Sequence, residues 1–189
     1  MQLPGHRWEK ATGYKATVSK GFSALKENAY TAFAADEIKP FRMTLSDPTN
    51  IKRYVFGGFG KCLYDFQKFD VDTERRFAVI LEDDGEVLKW FKPARNQFQI
   101  YYHKDAAYEP DFVVESKQQL FLCEPKRADQ MENPEVVAKK AAAVEWCKYA
   151  TEHAQQHGGK KWSYLLIPHD AITGNMTLAG LASRFAVVN

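Results

Sequence analysis

The chain has 189 residues, enough for one domain with a real core, and its 45% hydrophobic and 14% aromatic content is that of a folded globular protein. A net charge of +2 is too small to argue for a polyanion partner by itself, and the absence of a long apolar run argues against a membrane span. Three cysteines, Cys62, Cys123 and Cys147, are odd in number and lack paired spacing, which speaks against a disulfide framework or a zinc knuckle and for a reducing cytoplasm.

The N-terminus, MQLPGHRWEK, is polar and does not read as a secretory leader. Residues 1–70 read as a β-rich extension. YKATVSKGF and RYVFGGFGKCLYDF are expected to be extended, and IKPF and SDPTN to be turns. Residues 71–189 read as the core. In DTERRFAVILEDDG, Asp72 or Thr73 is placed to cap a helix whose apolar face is Phe77, Ala78 and Leu81, and Asp83, Asp84 and Gly85 end it. Glu74, three and four residues before Phe77 and Ala78, shares that inward face.

EVLKWF, QFQIYYH, PDFVVE and QLFLCE follow as extended runs, the first two separated by the turn-like KPARN. The clearest helix is NPEVVAKKAAAVEWCKYATEHAQQHGG, with Asn133 as cap, Pro134 at the first helical position, Glu135 in the first turn and Gly158 and Gly159 as the stop. KKWSYLLIP is a final strand, and MTLAGLASRFA closes with a short amphipathic helix through Leu178, Leu181, Ala182 and Phe185. Helix, several strands, helix, strand is the order of an α/β sandwich.

Two acids stand out within the strand-like runs, Asp111 after Pro110 and Glu124 before Pro125, with Lys126 two positions beyond. If SKQQ is the hairpin connection, its pairing puts Asp111 opposite Glu124 and on one face, with Cβ atoms about 4.5–5.5 Å apart. Glu124 and Lys126 share that face with Leu120 and Leu122 behind them, and Cys123 points the other way. Adjacent carboxylates repel, and a divalent cation offsets that. Oxygen ligation by a few carboxylates suits Mg²⁺, which retains waters and takes phosphate oxygens, and an ammonium alongside stabilises charge developing on a phosphate. Singly, Asp111 is a turn acid after a proline and Glu124–Lys126 a solvated ion pair. Jointly, in this register, they read as a metal site.

Pro110-Asp111 and Glu124-Pro125-Lys126 have the form of the PD-(D/E)xK nuclease signature. Together with FDVDTERRFAVIL, VLKWF, QIYYHKDAAYEPDFVV, LFLCEPK, KKAAAVEWCKYA and WSYLLIP, over roughly Phe66 to Ile172, the chain resembles the C-terminal nuclease region of type III restriction enzymes, the restriction subunit whose N-terminal part is a helicase-like motor. The resemblance implies a restriction-endonuclease-like core, a mixed sheet flanked by helices. It implies Asp111 and Glu124 as ligands of Mg²⁺, for which Mn²⁺ can substitute, with the Pro125 carbonyl as a further ligand. Lys126 then positions or activates water, and Glu74 is an additional acid approaching the metal. The implied reaction is hydrolysis of phosphodiester bonds in double-stranded DNA, beside a motor region and a DNA methyltransferase subunit. Arg127 and Ala128 follow the lysine where a glycine is expected.

GGFGKC lacks the length and the Ser/Thr of a phosphate loop, so these residues are not expected to power translocation, and the chain reads as an excised nuclease portion or a stand-alone relative. Lys139 and Lys140, opening the long helix, suit either DNA phosphate or a solvated basic face. His153 and His157 have i, i+4 spacing but lack the intervening Glu of a zinc-protease helix, and a helix C-terminus favours histidine in any case. Tyr101, Tyr102, Trp146 and Trp162 are expected in the core. A DNA-docking or assembly module with the same fold and no chemistry is the competing reading. A glycosidase pair of acids gains nothing from an adjacent ammonium.

Overall fold

The computed structural model describes residues 37–187 and the backbone of two earlier strands, β1 (Arg7–Ala11) and β2 (Tyr14–Val18), which pair antiparallel. No helix among the described residues is long and apolar enough to cross a membrane. Strand β3 (Glu37–Pro40) runs parallel to β4 (Tyr54–Gly57), which pairs antiparallel with β5 (Phe66–Gln67). IKPF is therefore not a turn: Ile38, Lys39 and Pro40 pair with Val55, Phe56 and Gly57. A proline is tolerated here because β3 is an edge strand, and the same edge position leaves Ile38 67% exposed. SDPTN behaves as expected of a turn-former. Asp47 accepts the Thr49 N–H at 3.0 Å and caps the 3-10 helix Pro48–Arg53.

The principal sheet has five strands, β6 (Val87–Phe91), β9 (Phe112–Ser116), β10 (Gln119–Lys126), β11 (Lys161–Pro168) and β12 (Ala186–Val187), in the order β12-β11-β10-β9-β6. β6, β9 and β10 form an antiparallel meander, whereas β10 and β11 run parallel from Gln119↔Lys161 to Lys126↔Pro168. Helix α2 (Pro134–Gln156) is the crossover that a parallel pair requires. Between β6 and β9, β7 (Ile100–His103) and β8 (Ala106–Tyr108) pair only with each other, so QFQIYYH belongs to a separate hairpin and not to the principal sheet. Tyr101 in that hairpin is 45% exposed and is not core, while Tyr102, Trp146 and Trp162 pack against the α2-side core.

Strand parity divides the interior in two. Phe112, Val114, Phe121, Cys123, Leu165 and Ile167 face α1 (Asp72–Asp83) and α3 (Leu178–Phe185), in a core that also takes in Phe41, Ile51, Phe56 and Phe69. Val113, Leu122, Tyr164 and Leu166 face α2 through Ala143, Val144 and Cys147. The fold is thus a mixed sheet flanked by helices.

Helix α1 starts differently from expectation. Its cap is Val71, which offers no side-chain hydrogen bond, and Asp72 is turned to Arg75 instead, Oδ1 to Nε 2.7 Å. Glu74, in the third helical position, turns its Oε2 back to accept the Asp70 N–H at 3.0 Å, one residue ahead of the cap. Helix α2 begins and ends as its sequence predicts: Asn133 accepts the Glu135 N–H at 2.9 Å, and Gly158 turns out of the helix at φ 70°.

Candidate functional site

The β9–β10 ladder sets the geometry. Its last bridged pair is Cys123↔Phe112, so one further step places Glu124 across from Asp111, on the Leu122 and Val113 side that faces α2. The chain bends at Asp111 as it enters β9. Glu124 is 6% exposed; Lys126, two residues on and on the same face, brings Nζ to 3.3 Å from Glu124 Oε1. The second oxygen, Glu124 Oε2, is buried without a hydrogen-bond partner, as is the Tyr108 hydroxyl.

Burial raises the pKa of Asp111 well above the ordinary carboxylate range, and the neighbouring Glu124 adds to this, against the opposing charge of Lys92. Burial likewise raises Glu124, with Lys126 and Lys139 working in the other direction. For Lys126, burial disfavours the ammonium, but Glu124 and Asp111 outweigh it and its pKa stands above the usual lysine value. Two carboxyls of raised pKa, one of them with an oxygen lacking a donor, therefore stand beside an ammonium that keeps its proton.

Glu74 enters from the first turn of α1, buried, with Oε2 paired to the Lys92 ammonium. Its charge acts on Asp111, Glu124 and Lys126, so the structure brings all four residues singled out for catalysis into electrostatic reach of one another. Lys139 extends from α2 toward Glu124, bonded to Glu135 at 2.7 Å and lying 5.3 Å from the centre of the Tyr102 ring. Lys140 is partly exposed and points about 100° further round the helix. His153 and His157 do not converge as metal ligands: their rings stack at 4.4 Å and His157 Nδ1 lies 2.8 Å from the His153 carbonyl oxygen.

Three neighbours escape the sequence reading. Lys92 follows the last residue of β6 and reads locally as part of the KPARN turn. Tyr108 ends β8, a strand that the sequence reading does not resolve. His169 follows Pro168, the partner of Lys126 in the parallel ladder, and its ring is near enough to the Pro125 backbone for that group to favour its protonated form. Burial holds the His169 imidazole below its ordinary pKa. The cysteines offer no nucleophile. Burial pushes the Cys62 thiol up to about 11 and Cys147 to about 12, and raises Cys123 well above its ordinary value.

Among the described residues no group of three or more His, Cys, Asp or Glu side chains forms a ready-made metal cage. The set that fits a cation is smaller: the Asp111 and Glu124 carboxylates and the Pro125 carbonyl. The orphaned Glu124 Oε2 is the observation that favours it, since a buried carboxylate oxygen without a donor is costly and a divalent ion satisfies it. No protein-family model matches the chain, and no curated protein matches it.

Proposed function

We propose that this chain is a Mg²⁺-dependent endodeoxyribonuclease domain hydrolysing phosphodiester bonds of double-stranded DNA, the nuclease part of a type III restriction-modification system. The observation that carries the reading is the placement of Glu124 across from Asp111 with an oxygen left unsatisfied and Lys126 beside it. The order of helix, antiparallel meander, crossover helix and parallel strand supports a restriction-endonuclease-like core.

Asp111, Glu124 and the Pro125 carbonyl would hold Mg²⁺ or Mn²⁺, which when bound supplies Lewis-acid polarisation and a lowered pKa for coordinated water. Lys126, kept cationic by the two acids, provides positive charge for the phosphate rather than acting as a base. The Tyr108 hydroxyl supplies a donor that no atom of the described residues uses. Lys139 is set to meet the DNA backbone on the α2 side. A motor region and a methyltransferase subunit are the partners this reading calls for, in a reducing cytoplasm where the three free thiols persist.

One observation favours the competing module without chemistry. Lys126 already pairs with Glu124 and Lys92 with Glu74, so the pocket is partly neutralised from within. Incubating the purified protein with supercoiled plasmid and MgCl₂ separates the two. The nuclease reading expects cutting that falls by roughly a hundredfold or more in Asp111→Asn and in Lys126→Met. Undiminished cutting by both variants, or none by the parent protein with its motor and methyltransferase partners present, removes the reading.

A further inference from the structure

We propose that Lys92 is the resident counter-ion of this acidic pocket, a positioning residue that ties Glu74 down and leaves Asp111 and Glu124 as the carboxylates open to a divalent cation. The inference rests on the metal-site reading above and adds a residue and a role to it. Lys92 follows Phe91, whose side chain packs on the α2 side, so strand alternation directs the lysine to the α1 side where Glu74 enters. Its side chain is 13% exposed, and the ammonium lies 5.7 Å from the centre of the Phe69 ring and 5.4 Å from that of Phe112. A turn lysine would keep its head in water. This one has two aromatic faces and a buried carboxylate around it, an arrangement that retains a cation.

Burial opposes the Lys92 charge, but Glu74 and Asp111 outweigh it and its pKa lies above the ordinary lysine value. Each of the two ammoniums is paired with one acid, Lys92 with Glu74 and Lys126 with Glu124. Glu74 Oε2 is engaged by both Lys92 and the Asp70 N–H, which keeps it from moving onto a cation held by the other two acids. A purely structural ion pair, pinning α1 to the end of β6, uses the same contact. The two roles differ in what they do to metal affinity.

Titrating MnCl₂ into the protein without DNA, and following the heat, distinguishes them. Lys92→Met removes an ammonium from the pocket and releases Glu74, and is expected to tighten Mn²⁺ binding by about tenfold or more. Glu74→Gln keeps an oxygen for the Asp70 N–H but leaves Lys92 to act on Asp111 unopposed, and is expected to weaken binding by about tenfold. The double variant returns near the parent affinity, because the two charges are removed together. Equal affinity in the parent and Lys92→Met, including no binding in either, overturns the proposal, as does a double variant that stays as weak as Glu74→Gln. Should Lys92→Met not fold, Glu74→Gln decides: unchanged or tighter binding overturns it. Plasmid cutting by the parent protein is scored separately. Cutting without the affinity pattern removes the role of Lys92 alone, and the pattern without cutting, even with the motor and methyltransferase partners present, keeps that role and removes the nuclease.

Discussion

Asp111 and Glu124 are the next residues beyond Phe112 and Cys123, the last bridged pair of the β9–β10 ladder, and burial raises both carboxyls above the ordinary carboxylate range. The arrangement costs stability as long as nothing binds there. A folded protein that keeps protons which its unfolded chain has released becomes less stable as pH rises, from the normal carboxylate range up through the raised values.

Asp111→Asn removes much of that penalty. Urea denaturation in EDTA is expected to show the variant more stable than the parent by about 1–3 kcal/mol near pH 8, with the difference shrinking toward pH 5. A difference that does not change with pH would mean that Asp111 ionises normally in the fold.

Tyr108 carries the other orphaned buried atom, a hydroxyl within the electrostatic reach of Glu124 and Asp111. Tyr108→Phe removes the hydroxyl and leaves the ring packed in the α2-side core. The thermal midpoint should hold or rise, while Mg²⁺-dependent plasmid cutting falls by roughly tenfold to a hundredfold, the worth of one hydrogen bond to a charged group. Full activity in a well-folded variant would place the hydroxyl outside the chemistry.

Lys139 presents its ammonium on the α2 side of Glu124, already bonded to Glu135. If it meets DNA phosphate, Lys139→Ala in the Asp111→Asn background weakens binding uniformly across sequences. The plot of log affinity against log salt should become shallower by about one unit. An unchanged slope assigns Lys139 to a solvated face.

How much of this could be read from sequence depends on how local each cause is. The register of the β9–β10 ladder was legible because the SKQQ connection fixes one pairing whether two or four residues lie in the loop. The α2 boundaries were legible because Asn133, Pro134 and Gly158 act on the backbone beside them. The cap of α1 was not, since Asp72 had an alternative partner in Arg75 and Glu74 turned back to the Asp70 N–H. Contacts made by tertiary folding left no local mark. Glu82 accepts the Gly60 N–H at 2.8 Å and the indole N–H of Trp90 at 2.8 Å, fastening the 60–62 loop alongside β6, yet its surroundings in LEDDG read as an ordinary solvated helix end. Lys92 meets Glu74 across 18 residues for the same reason. The β7 and β8 hairpin left the principal sheet although IYYH has the composition of a central strand, because strand propensity does not specify a partner.

The most direct test is anomalous diffraction from crystals soaked in MnCl₂. The account expects a manganese peak bonded to oxygens of both Asp111 and Glu124, and no such peak in Asp111→Asn. A well-ordered soaked crystal with both side chains in place and no manganese between them would contradict it.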